Sequence, residues 1–258
     1  MIDHTLRHAV LLLVLLVAAG CGGTRDVMPP NIADPDRFLY DRGLEALKEE
    51  KWLNAREYFR QVVDNYPGSP LRADAKLGIG DAYLGEDSAE SLVLADNEYR
   101  EFLTFYPTDD RADYAQYKLA MSHFAQMRSP ARDQTPTKLA LQEFEVFFSR
   151  FPMSPLVPEV REKWREARDR LSDHSFGVGE LYYRMQVYSG ALSRFREILA
   201  DDPQYSRRDG VYYYLAELFL RADNSAEAIP YYQRIIDEFV ESDYLERAKR
   251  RLQELTAQ

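Results

Sequence analysis

The stretch GELYYRMQVYSGALSRFREILADDP, residues 179–203, decides the fold. Within it Gly179, Ala191, Phe195 and Pro203 stand 12, 4 and 8 residues apart. Gly43, Ala55, Phe59 and Pro67 hold the same spacings 136 residues earlier, and Ala216, Ala228, Tyr232 and Val240 hold them a third time. Two looser copies lie between. Gly80, Ala95, Tyr99 and Pro107 carry three extra residues in the first gap, and Ala120, Ala140, Phe144 and Pro152 carry eight. Five copies of one pattern mean one structural unit used five times.

The spacing describes a helical hairpin. A glycine or alanine on each helix lets the pair approach closely, and an aromatic residue one turn beyond the second alanine fills the space between them. The closing proline cannot continue a helix. This unit resembles the tetratricopeptide repeat, so the expected fold is all-α, a TPR-like α-solenoid of about five helical hairpins. Val211 to Leu215 looks strand-like alone but fits the helical register of its repeat. Ser154 to His174 does not fit the unit; its alternating charges over Arg161–Arg170 predict one long exposed helix stiffening the joint between repeats three and four. Asp243 to Leu255 reads as a capping helix with a polar outer face.

Residues 1–20 read as an export signal: Arg7 gives the positive start and Ala9–Ala19 an unbroken apolar run. As a helix that run spans only about 16 Å, too short for the ~30 Å hydrocarbon core. Ala18-Ala19-Gly20-Cys21 resembles a bacterial lipobox, which implies acylation of Cys21 after cleavage before it. Cys21 is the one cysteine in the chain, so no disulfide can form within it. The other reading is an ordinary secretory signal with a stray thiol. Residues 21–35 form the expected lipidated tether. Residues 36–153 hold repeats one to three, and residues 154–258 hold the linking helix, repeats four and five and the cap. By resemblance to enterobacterial lipoprotein sorting, Gly22 in place of Asp implies the outer membrane, with the protein lipid-anchored on the periplasmic face.

The formal charge is −10 and stays there after residues 1–20 are removed, because Asp3 and Arg7 cancel. Such a balance argues against a nucleic-acid partner. His123 and His174 are the only histidines beyond the signal and lack metal-site spacing. There is no phosphate-binding glycine loop and no nucleophile elbow, so neither an enzyme nor a cofactor is expected. The 18 Tyr and 13 Phe are more than hairpin contacts alone require. By the repeat resemblance, first helices line a concave groove. Tyr40 and Leu44 in repeat one, Leu77 with the acidic Asp81 in repeat two, and Tyr117, Met121 and Phe124 in repeat three would form a peptide-binding surface. The competing reading is that these side chains simply pack between helices.

Three further segments narrow the resemblance. Arg132-Asp133-Gln134-Thr135 lies in the long turn of repeat three. Leu171, His174, Val178, Tyr182 and Tyr183 form a spaced run, and Ala191-Leu192-Ser193-Arg194-Phe195 follows it. With the lipobox and five repeats, the chain resembles the BamD family of lipoproteins in the outer-membrane β-barrel assembly machinery, from about Asp36 to Glu241. Ser175, where the family usually has Glu, and Val240, in place of the last closing proline, depart from it. The resemblance implies that the C-terminal repeats, with Arg194 as a docking residue, bind the POTRA region of the barrel-inserting protein. It implies that the N-terminal groove receives unfolded barrel substrates, and that accessory assembly lipoproteins are partners. A periplasmic TPR lipoprotein regulating cell-wall enzymes or the Tol envelope system is the alternative. An enzyme subunit ranks third.

Overall fold

The computed structural model describes residues 32–257, so Cys21 and most of the tether lie outside the described residues. Within them the chain forms helices only, joined by short turns. Repeat one is α1 (Pro35–Lys48) and α2 (Trp52–Asn65); repeat two is α3 (Arg72–Glu86) and α4 (Ala89–Phe105). Repeat three is α5 (Ala112–Ala125) and α6 (Thr135–Arg150). Then come α7 (Val157–Arg184) with α8 (Tyr188–Asp201), α9 (Arg208–Arg221) with α10 (Ser225–Glu238), and α11 (Leu245–Thr256). Each helix packs mainly on its chain neighbours, as a solenoid requires.

The repeat glycines act through the aromatic partner. A Cβ built on Gly43 would lie 2.5 Å from the Phe59 ring, one on Gly80 2.7 Å from Tyr99, and one on Gly179 2.7 Å from Phe195. Each glycine thus opens a slot for a ring. Phe59, Tyr99, Phe144, Phe195 and Tyr232 are all fully buried, and such burial contributes roughly 1.5–3 kcal/mol apiece. Where repeats three and five have Ala120 and Ala216 instead, those alanines are fully buried too. The hairpin turns reverse through a left-handed residue seven places after the small one: Glu50 (φ 58°), Gln186 (φ 62°) and Asp223 (φ 53°).

In repeats one, three and five a serine of the closing turn latches that turn to the first helix of the same repeat. Ser69 donates to Asp36 at 2.5 Å, Ser154 to Asp113 at 2.5 Å and Ser242 to Asp209 at 2.6 Å. Each acceptor sits in the first turn of a first helix, where a carboxylate also favours the helix dipole. In repeats two and four the latch is an ion pair, Arg111 on Asp74 and Arg207 on Asp173.

The expected long helix of the joint runs further than Ser154 to His174 suggested. Residues 157–184 are one helix of 28 residues, about 42 Å long at 1.5 Å per residue, so the linker and the first helix of repeat four are continuous. No proline or glycine turn follows Arg170, and Val178 and Gly179 keep its helical phase. Nor is the charged run wholly exposed. Val160 and Ala167 are fully buried in the core of α5 and α6, and Arg165 reaches across to Asp202. The apolar interior forms three successive clusters: repeats one and two, repeat three with the start of α7, and repeats four and five with the end of α7.

Candidate functional site

The six expected groove residues divide into two groups. Tyr40, Leu44 and Leu77 line one cavity of about 290 Å³ between α1, α3 and α5. Leu44 is 42% exposed and Tyr40 half-buried, while Leu77 is only 5% exposed and shapes the cavity from beneath. Tyr40 leans on Phe59 with ring centroids 5.7 Å apart, so the hairpin core fixes its position.

Tyr117, Met121 and Phe124 belong instead to the third apolar cluster. Tyr117 is buried and donates to Glu159 Oε1 at 2.8 Å, which makes it a brace between α5 and α7 and removes it as a free anchor. Burial, with the Glu159 carboxylate beside it, pushes its hydroxyl well above the ordinary range. Phe124 packs edge-on to Phe144 at 6.3 Å and is covered by the Lys163 ammonium 5.1 Å from its centroid. Sequence periodicity places all six on first-helix inner positions. It does not show that α7 covers the third set.

The floor of the cavity is polar. Asp81 Oδ1 accepts from the Tyr99 hydroxyl at 2.7 Å and the Tyr114 hydroxyl at 2.9 Å. Burial raises the Asp81 carboxyl above its usual range, against the pull of those two bonds and of Lys118. The Asp74–Arg111 pair borders the same space.

A second cavity, of about 440 Å³, lies where the loop after α5 meets α7 and α8. Arg132, Asp133, Gln134 and Thr135 line it together with His174 and Arg194. Segments 60 residues apart thus meet at one place, which no spacing in the sequence could show. The loop is built to hold its shape. The buried Gln134 amide donates to the carbonyls of Ser129 at 2.9 Å and Arg132 at 3.0 Å, and its oxygen accepts from Thr137 at 2.9 Å. Asp133 accepts from the Thr135 N–H at 3.3 Å and hydroxyl at 2.9 Å, which ties down the chain just ahead of α6. His174 Nδ1 meets the Pro130 carbonyl at 2.6 Å, and Arg170 donates to the Arg128 carbonyl at 2.9 Å. Arg194 is half-exposed and pairs with Glu197 at 3.0 Å, one helical turn away. The rim is charged and mixed in sign, with Arg132, Lys138, Arg168 and Arg194 beside Asp133, Glu197 and Asp201.

Beside this pocket a buried bridge fixes α7 to α8. Arg165 donates to both oxygens of Asp202, at 2.9 and 2.5 Å, and to Asp169 at 2.9 Å; Ser172 donates to Asp202 at 2.7 Å. Burial alone would raise the Asp202 carboxyl, but these donors hold it below the usual range. Sequence reading missed Arg165 and Asp202; each looked like one more charge on a solvated helix. Among the described residues no cluster of three or more His, Cys, Asp or Glu could hold a metal ion, and no helix is long and apolar enough to cross a membrane.

The family model described as YfiO, outer membrane lipoprotein, matches residues 32–221, and a tetratricopeptide repeat model matches residues 211–242. An outer membrane protein assembly factor BamD from Caulobacter vibrioides is 29% identical over 229 residues, covering 86% of this chain and 73% of the relative. That of Vibrio cholerae is 26% identical, covering 72% and 79%, and that of Rickettsia prowazekii is 26% identical, covering 74% of each. Among solved structures, a tetratricopeptide repeat protein from Parabacteroides merdae aligns at 14% identity and TM-score 0.38, over 87% of this chain and 90% of that one.

Proposed function

We propose a function from one premise: the chain belongs to the YfiO family of outer membrane lipoproteins, the family of the assembly factors named BamD. The protein is a non-enzymatic scaffold in outer-membrane protein assembly. Cys21 carries its lipid anchor and holds the solenoid on the periplasmic face of the outer membrane. The N-terminal cavity around Tyr40, Leu44 and Leu77 receives extended segments of unfolded barrel substrates. The pocket that brings Arg132–Thr135 to His174 and Arg194 docks the POTRA region of the barrel-inserting protein, with accessory lipoproteins as further partners.

The observation that carries this reading is the extent of the family match, which runs through both cavities and the joint of α7 with α8 that the second one adjoins. A solenoid with a partly apolar cavity in its first repeats and a charged pocket where repeats three and four meet suits a platform for two different partners. The test is affinity purification from detergent-solubilised outer membranes. Co-purification of the barrel-inserting protein is expected. Recovery of cell-wall hydrolases or Tol components in its place would refute the assignment.

A further inference from the structure

An acidic residue follows the small residue of three first helices: Asp81 after Gly80, Glu180 after Gly179 and Glu217 after Ala216. In each case the next repeat sends a donor to it. Tyr114 reaches Asp81 at 2.9 Å and Tyr214 reaches Glu180 at 2.9 Å. At Glu217 the donor is Arg251 of the capping helix, with Nε 3.0 Å from Oε1 and a terminal nitrogen 3.3 Å from Oε2. Tyr232 also donates to Glu217, at 2.6 Å, in the register where Tyr99 donates to Asp81 at 2.7 Å.

The two sites differ in one respect. At Glu217 both carboxylate oxygens are satisfied, the second by the guanidinium. At Asp81 both tyrosines fall on Oδ1, and among the described residues no donor reaches Oδ2. Asp81 borders the cavity beneath Leu44 and Leu47, where Arg111 is already taken by Asp74 and Asp109 and the Lys118 ammonium lies over the Tyr114 ring at 5.3 Å. At about 290 Å³ the cavity is below the ~300–1,000 Å³ of sites that enclose a small molecule, which suits one side chain. A half-buried carboxylate with an open oxygen gains most from a charge-assisted donor, and an arginine brings an apolar stem to lie on leucine.

Resting on the peptide-capture reading, we propose that this cavity takes one basic side chain of the captured segment, arginine above all. Its guanidinium sits on Asp81 and its stem runs along Leu44 and Leu47, as Arg251 sits on Glu217 within the chain. The groove therefore selects peptides with a basic residue set among apolar ones.

The test uses the full lipidated protein in detergent micelles and two labelled ten-residue peptides of alternating Leu or Phe and Ser. One peptide carries a central arginine and the other the neutral isostere citrulline. Fluorescence anisotropy should show the arginine peptide binding roughly tenfold tighter. Asp81→Asn should abolish that preference while Glu217→Gln keeps it. Leu44→Arg, which leaves Asp81 in place and supplies a competing guanidinium in cis, should abolish it as well. Equal binding of the two peptides, or a preference that survives both Asp81→Asn and Leu44→Arg, would overturn the inference. Failure of the wild type to bind either peptide would overturn the capture reading beneath it.

Discussion

Phe59 occupies the space that a side chain on Gly43 would need: a Cβ there would lie 2.5 Å from Cε1 of the ring. Gly78, in the next repeat, holds the opposite edge of the same ring, its Cβ position 2.5 Å from Cε2. One aromatic residue therefore joins three helices, and two glycines make it possible. Gly43→Ala should destabilise by about 1–3 kcal/mol through overpacking, and Gly43→Leu by more. Adding Phe59→Leu to Gly43→Ala should cost less than the two separate losses combined, because the smaller side chain relieves the clash. Thermal melts followed by circular dichroism on the four proteins measure this directly. Strict additivity would mean that ring and glycine do not share the space.

The Arg165–Asp202 bridge gives the joint an acid-sensitive contribution. Against the opposing effect of burial, Arg165 and Ser172 hold the Asp202 carboxyl below the usual carboxylate range. A depressed carboxylate contributes stability that is present above the unfolded value and lost as pH falls through the folded one. Wild-type stability should thus fall below about pH 4 more steeply than that of Asp202→Asn. At pH 7 the variant should be less stable by about 1–3 kcal/mol, because it leaves a charged Arg165 short of its partner. Parallel melting curves from pH 7 to 2.5 for the two proteins would contradict this role.

Gln186 reverses the chain between α7 and α8 with φ 62°, a conformation that costs a residue with a Cβ roughly 1–2 kcal/mol. Its N–H and that of Val187 bond to the Tyr183 and Tyr182 carbonyls at 3.1 and 2.9 Å, so the turn is a helix C-cap in which glycine is the favoured residue. Gln186→Gly should raise the midpoint of urea unfolding, by up to about 1 kcal/mol in stability once the looser unfolded chain is counted. A lower midpoint would show that the Gln186 side chain contributes contacts that outweigh the strain.

What was legible in the sequence was whatever repeats. The 12, 4 and 8 spacings fixed the hairpins, the buried rings and the order of the helices, since a helical repeat needs its small and large residues in fixed phase. The joint was legible only in part, because Arg161–Arg170 has the alternating charge of a solvated helix. Nothing local reveals that Arg165 finds Asp202, 37 residues on. The second cavity was half legible. Arg132–Thr135, His174 and Arg194 could each be singled out as residues, but their meeting depends on where α7 lays the loop. At the far end of the expected groove, groove and core could not be told apart in the sequence. Tyr117 and Phe124 occupy groove positions by register, and α7 packs against both, with Tyr117 buried and Phe124 half-buried.

The proposed lipid anchor is read from residues 9–21. Cys21 follows a short apolar run and small residues, and it is the one cysteine of the chain. Cys21→Ser should abolish incorporation of radiolabelled palmitate and release the protein from the membrane fraction. Normal labelling of the variant would contradict the assignment.

Two separate places on one solenoid, the cavity of the first repeats and the pocket at the α7–α8 joint, are proposed to hold two different partners. The most direct measurement is site-specific photocrosslinking in intact cells, with the photoreactive residue placed at 44 in one strain and at 194 in another. Both positions are exposed enough to carry it, and repeats that touch only their neighbours should leave each place's contacts separate. Position 44 is expected to capture newly exported barrel precursors, and position 194 the periplasmic region of the barrel-inserting protein. The same crosslinked partner at both positions, or the two partners exchanged, would contradict the account.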